Sequence, residues 1–293
     1  MSEPRLVATC WTSAGDVGPL DPSEVSPHPP LERIRAIAAA GWDGFGFAHE
    51  DLAVVRDTIG FTALRAEIDA ACFKHVEVEL ATGWWQADER TWRPRWDMLL
   101  EAADTLGATF IKVGPAVGGP TPELDSYVKP LWRLAEEAAQ IGCRVALEPL
   151  PFSVIESLPR GAELIRAVDH PAAGLIVDFW HVFRAGTSLE EFAASVPIET
   201  IFGVELSDAP ENVVGTLFED TRNRRTLVGR GAQDVVGFIR TLRTMGYAGP
   251  WGVEVISDEH RARPLETALD LARSTALETF ALADAPTEQS VIV

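Results

Sequence analysis

The chain has 293 residues, 46% of them hydrophobic, which fits one large α/β domain or two ordinary ones with a sizeable core. A formal net charge of −19 argues against nucleic acid and anionic membrane surfaces as partners, because both are held by Lys and Arg. No run of about 18 apolar residues offers a membrane span, and Met1 to Arg5 carries an acid and a proline in place of a basic-then-apolar leader, so a cytoplasmic location is expected.

Short apolar runs that read as buried strands alternate with helix-period stretches along the whole chain. Leu6–Thr9 comes first and is followed, after the Pro- and Ser-rich segment Trp11–Pro30, by the amphipathic Leu31–Ala40. Gly44–Phe47 with Phe61–Ala71, His75–Leu80 with Trp96–Leu106, and Phe110–Val113 with Leu131–Ile141 form the next three units. Val145–Glu148 with Gly161–Val168, Gly174–Asp178 with Leu189–Ala194, Ile201–Leu206 with Val235–Met245, and Gly252–Val255 with Leu265–Ala281 complete eight. Gly41, Gly107, Gly142 and Gly246 stand just past the last periodic residue of four helices, where a helix cap is expected.

Short apolar strands separated by helices call for parallel pairing with both faces covered. Eight such units at this length predict an α/β fold of one closed (β/α)8 TIM barrel over residues 1–282. A tail, 283–293, follows, and its Val-Ile-Val end could dock on a partner subunit. An open doubly wound sheet is the alternative, but no GxGxxG follows the first strand. The segments Trp11–Pro30 and Asp208–Gly231 are longer than ordinary connections and both follow strands, so they belong to the C-terminal face where barrels carry their active sites. Cys10, Cys72 and Cys143 have no CxxC spacing and read as buried, inert thiols.

The chemistry-bearing signal is an acid at the end of each of four late strands: Glu148, Asp178, Glu205 and Glu254. A carboxylate buried at a barrel mouth costs several kcal/mol unless it is paired. Four brought together call for a cation, and oxygen donors suit Mn2+ or Mg2+, with Co2+ also accommodated. His181, three residues after Asp178, can reach the same pocket. Arg222, Arg224 and Arg225 sit together in the long loop after the seventh strand, where one could bind a substrate hydroxylate or carboxylate, and a solvated cluster is the equal alternative for Arg222 and Arg224. Lys112 ends the fourth strand and points either into the mouth or onto an outer helix. Trp11, Trp84, Trp85 and Trp180 fall just beyond strand ends, where aromatic walls stack on sugar-like rings, and Phe47 and His49 extend that list after the second strand.

Several of these segments resemble the xylose isomerase-like barrel superfamily. They are Glu148 followed by Pro149, Asp178-Phe179-Trp180-His181, and Glu205-Leu206-Ser207-Asp208, then Arg225 through Gly229 and Gly231 to Gly246 and Glu254. The resemblance spans about residues 5 to 280 and is most specific in the second half. That group contains sugar isomerases and ketose 3-epimerases, inosose dehydratases, 3-dehydroshikimate dehydratases and endonuclease IV. It implies metal ligands at Glu148, Asp178, Glu205 and Glu254, a substrate-contacting histidine at His181 and arginine at Arg225, and a homodimer or homotetramer. Position 205 is commonly His in the epimerases and Gln in the dehydroshikimate dehydratases, so Glu205 departs from both. An added negative charge there either tightens the ion and weakens it as a Lewis acid, or takes Glu205 out of the ligand set.

A divalent ion on vicinal oxygens of a hydroxy-ketone would polarise the carbonyl and stabilise an enediolate, with Glu148 and Glu254 as acid and base. The leading expectation is therefore an isomerase or epimerase of an unphosphorylated keto sugar or keto-cyclitol. Loss of a β-hydroxyl with help from His181 would instead make it a dehydratase of a cyclic keto-polyol such as an inosose or 3-dehydroshikimate. A nuclease site would need more than the six histidines present. A non-catalytic sugar-binding barrel leaves four aligned acids unexplained.

Overall fold

A computed structural model describes residues 3–118 and 123–286. Eight parallel strands close into one barrel in chain order: β1 (Leu6–Ala8), β2 (Gly44–Ala48), β3 (His75–Ala81), β4 (Phe110–Val113), β5 (Val145–Leu147), β6 (Ala173–Asp178), β7 (Ile201–Leu206) and β8 (Trp251–Val253). β1 pairs with both β2 and β8, which closes the ring. The (β/α)8 architecture expected from the alternating pattern is the architecture observed, with strand limits shifted by a residue or two.

Around the barrel lie α1 (Pro30–Ala39), α2 (His49–Thr58), α3 (Phe61–Ala70), α4 (Arg93–Leu106), α5 (Asp125–Gln140) and α6 (Leu158–Val168). They continue as α7 (Phe179–Arg184), α8 (Leu189–Ser195), α9 (Leu217–Asn223), α10 (Val235–Met245), α11 (Asp258–Arg261) and α12 (Leu265–Asp284). Periodicity does not reveal α2, α7, α9 or α11. α7, for example, continues an apolar run that reads as strand, and its start is marked by Asp178, which caps it. α12 runs to Asp284, past the expected start of the tail, and the Val-Ile-Val end lies outside the described residues.

The helices bury their apolar stripes on the outer face of the strands, so the strands are covered on both sides and read as nearly continuous apolar runs. α4 ends on Gly107 at φ 70°, a left-handed cap that a residue with a Cβ would adopt only with strain. Within the barrel, Phe110, Ala146, Ile176 and Phe202 form a separate apolar plug. Gly203 makes room for it, because a Cβ there would lie 2.7 Å from Ile176 Cδ1 and 2.9 Å from Phe110 Cζ. Cys10 and Cys143 are buried as expected; Cys72 is exposed, because it lies past the end of α3 rather than on its inner face. Among the described residues no helix is long and apolar enough to cross a membrane.

Candidate active site

Strand register decides which of the strand-end side chains meet. Asp178 ends β6 directly beside Glu205 of β7, and Leu206 pairs with Val253, which sets Glu254 one step further along. Glu148 follows β5. One ligand oxygen from each of Glu148, Asp178, Glu205 and Glu254 lies within 4.8 Å of the others, and all four residues are buried. Asp178 also shapes the chain locally: its Oδ1 accepts from the Trp180 N–H at 2.7 Å and caps α7. That turn directs His181 back to the acids, with Nε2 3.4 Å from Glu148 Oε1 and 3.5 Å from Asp178 Oδ2.

Two buried cations share these carboxylates. The Arg225 guanidinium lies 2.6 Å from Asp178 and 3.1 Å from Glu254, and Thr221 Oγ1 accepts from its Nε and Nη2 at 3.1 and 2.9 Å. Lys112 Nζ stands 2.7 Å from Glu205, 3.0 Å from Glu79, 3.5 Å from Glu254 and 3.8 Å from Glu148. Burial acts against the Lys112 ammonium, but the surrounding glutamates outweigh it and hold its pKa well above the ordinary lysine value. One ammonium cannot keep four glutamates ionised. Burial, with the charge of Glu254 added, pushes the Glu205 carboxyl well above the usual carboxylate range. Burial likewise raises Glu254 to about 8. In Glu148 burial acts upward too, yet Lys112 and the His181 hydrogen bond prevail and bring it down to about 2.

This donor set fits a hard divalent cation. Glu205 Oε1 accepts from Lys112 Nζ, while its Oε2 is buried with no hydrogen-bond partner among the described residues. Among the described residues the four clustered acids meet the fixed charges of Lys112 and Arg225, with His181 beside Glu148, and the raised carboxyls of Glu205 and Glu254 hold protons that a divalent ion would displace.

A cavity of about 740 Å³ reaches the cluster, and Glu148, His181, Arg225 and Glu254 line it. Trp11, His49 and Trp85 line it as well. Four expected substrate contacts lie elsewhere. Phe47 is buried with the Arg33 guanidinium 4.4 Å from its ring centroid, and Trp180 is packed 5.2 Å from the Arg225 guanidinium, so each supports an arginine from behind. Lys112 is committed to the glutamates. Arg222 donates from Nε to Pro19 O at 2.8 Å and pairs with Asp21, tying the loop after β7 to the loop after β1. Arg224 is exposed and Trp84 is buried against Gly114 O.

Sequence reasoning missed Glu79, Arg95 and Thr221, all of which line the cavity. Glu79 had a signal: His75, Glu77 and Glu79 alternate with Val76 and Val78, so β3 turns a polar face inward. Arg95 and Thr221 sit on helices whose orientation periodicity does not give.

The family model described as Xylose isomerase-like TIM barrel matches residues 34–275. A 3-dehydroshikimate dehydratase of Pseudomonas aeruginosa is 30% identical over 257 residues, which is 83% of this chain and 39% of that protein. An inosose isomerase of Halalkalibacterium halodurans is 28% identical over 189 residues, covering 61% of this chain and 64% of that one. The chain thus spans about two fifths of the length of the dehydratase it matches. Among solved structures, an IOLI protein with a bound zinc atom superposes at a TM-score of 0.82 and 19% identity, over 96% of this chain and 100% of that one, a likeness of fold.

Proposed function

The chain belongs to the xylose isomerase-like TIM barrel family, and from that premise we propose that it is a divalent-metal-dependent isomerase or epimerase, moving a proton on the carbon beside the carbonyl of a small keto sugar or keto-cyclitol. The observation that carries this reading is the convergence of Glu148, Asp178, Glu205 and Glu254 within 4.8 Å at the edge of a substrate-sized cavity. These four residues would hold the ion. Mn2+ and Mg2+ suit an all-oxygen donor set, and Co2+ is also suited. When bound, the ion supplies positive charge that polarises the ketone and offsets the charge developed on deprotonation.

The chain's own residues do the rest. Glu148 and Glu254 follow β5 and β8, so they approach a ketone from different parts of the mouth, and one can take the carbon proton while the other returns it. His181, 3.4 Å from Glu148, is placed to exchange a proton with a substrate hydroxyl. Arg225 lines the cavity with a fixed charge that orients substrate oxygens. Phe152 and Phe218, with ring centroids 5.8 Å apart, make an apolar wall that limits water near the acids.

The test is proton exchange in D2O with metal-replete protein and a keto-cyclitol such as an inosose, followed by NMR alongside elemental analysis. Exchange should fall by roughly 10²–10⁴ in Glu148→Gln and Glu254→Gln. Undiminished exchange in both variants, or wild-type protein that takes up no metal, would end the proposal. A second reading, dehydration of a cyclic keto-polyol, is favoured by the 30% identity with a 3-dehydroshikimate dehydratase over 83% of this chain. Formation of an ultraviolet-absorbing enone from 3-dehydroshikimate would select it; C–H exchange without enone would select isomerisation.

A further inference from the structure

The cavity is larger than the acid cluster needs. At about 740 Å³ it lies in the upper part of the range that takes drug-sized ligands, and a single small polyol would leave much of it filled with water. Its other wall comes largely from one stretch of chain, Thr82, Gly83, Trp85, Gln86 and Thr91 from the segment after β3 with Arg95 from the first turn of α4.

Arg95 is the group on this wall that calls for a ligand. Among the described residues its guanidinium forms no ion pair, and its side-chain hydrogen bond goes from Nη1 to Thr82 Oγ1 at 3.2 Å. Arg225, the other guanidinium on the cavity, already has its charge paired with Asp178 and Glu254. Glu24 also lines the cavity but stays outside ion-pair distance of Arg95, with Oε1 accepting from the Leu20 N–H at 2.8 Å. His49 faces the same space with its Nδ1 buried and unpartnered. An unpaired guanidinium in a partly enclosed, aromatic-walled cavity favours an anion, and its planar fork matches a carboxylate.

We propose that the region around Arg95 and Trp85 is a second subsite, which binds a carboxylate carried on an aromatic or similarly flat apolar part of the substrate. The inference rests on the keto-polyol reading and deepens it: the ketone end would meet the acids and the carboxylate end would meet Arg95, so a keto-polyol that also carries a carboxylate would be held more tightly than a neutral one such as an inosose.

The subsite is tested without turnover, by titrating metal-replete wild type and Arg95→Gln with benzoate, its neutral analogue benzamide, and phenyl phosphate, using tryptophan fluorescence and calorimetry. Benzoate should bind wild type at least about tenfold more tightly than benzamide, the scale of one charge-assisted hydrogen bond, and that preference should disappear in Arg95→Gln while its metal content stays at the wild-type level. No preference in wild type, or a preference that survives in Arg95→Gln, overturns the subsite, the latter by placing the anion at Arg225 or on the metal. Tighter binding of phenyl phosphate than benzoate overturns the carboxylate assignment. Because the readout is ligand binding and metal content is measured on the same samples, wild type that lacks metal would sink the proposed function while leaving the Arg95 result standing by itself.

Discussion

Lys112 and Glu205 are a pair whose value depends on both being present. Removing the ammonium alone takes from Glu79 and Glu205, both buried, the hydrogen-bond donor they share, a change of the kind that costs about 1–3 kcal/mol. Lys112→Met should therefore lower unfolding stability by that order, and adding Glu205→Gln should restore part of it. Denaturant unfolding of the two single variants and the double variant measures the coupling, and a double variant no more stable than Lys112→Met would refute it. His49 makes a separate prediction in pH. Burial, then the neighbouring Arg95, lowers its pKa to about 4 from 6.5. The unfolded chain then binds more protons than the folded one between those values, so stability contributed by neutral His49 is present above pH 6.5 and is lost as pH falls toward 4, by about 2–3 kcal/mol. The difference between wild type and His49→Gln should shrink by that amount between pH 7 and pH 4.5; parallel curves would show that His49 titrates normally. The four strand-end acids were legible at this scale because each interrupts an apolar run. Arg95 was not, because an arginine in the first turn of a helix looks like any solvated one.

At the scale of elements, the strand ends were readable and the loops were not. The meeting of Asp178 with Glu205 was not readable either: the β6–β7 register shifts by one residue between Leu175 and Ile176, and without that irregularity Asp178 would stand opposite Val204 instead of Glu205, a slip that a period-two pattern does not show. The long segments after β1 and β7 were placed on the correct face, but nothing in their composition says that they touch. They do so through Arg222, which reaches Pro19 O and Asp21, and Arg261 of α11, after β8, braces that contact by donating from Nη1 to Arg222 O at 2.6 Å. Arg222 thus holds in place Pro19 and Leu20, which line the cavity. Arg222→Ala should raise KM several-fold with a smaller effect on kcat, and should speed proteolysis within 14–30, because its partly exposed ion pair contributes at most about 1 kcal/mol to global stability. Steady-state kinetics with limited proteolysis measures both, and an unchanged KM would show that the loop keeps its place without the clasp.

For the whole molecule, the alternating pattern led to the barrel, because eight repeats of strand and helix leave few other ways to cover both faces of a parallel sheet. What the pattern did not show is how much charge the closed barrel encloses. Glu77, Glu79, Glu148, Asp178, Glu205 and Glu254 are all buried, against Lys112 and Arg225, with His75 2.8 Å from Glu77. Such an interior opposes folding unless protons or a cation make up the difference, so the ion proposed for catalysis is also a stability element. Binding to the folded state alone contributes RT ln(1 + [L]/Kd), or about 2.7 kcal/mol at a hundredfold excess over Kd. For a chain of this size that is a rise of roughly 5 °C in Tm on adding Mn2+ to chelator-treated protein. Glu148→Gln and Glu254→Gln should lose most of the rise; without metal, Glu254→Gln should be no less stable than wild type treated the same way, because burial already raises the Glu254 carboxyl to about 8, whereas Glu148→Gln should be less stable, because it takes a charge partner from Lys112 and His181. Differential scanning calorimetry with and without Mn2+ decides it. A Tm indifferent to metal in wild type would mean that Lys112, Arg225 and bound protons already balance the interior, and the four acids would then need another explanation than a shared cation.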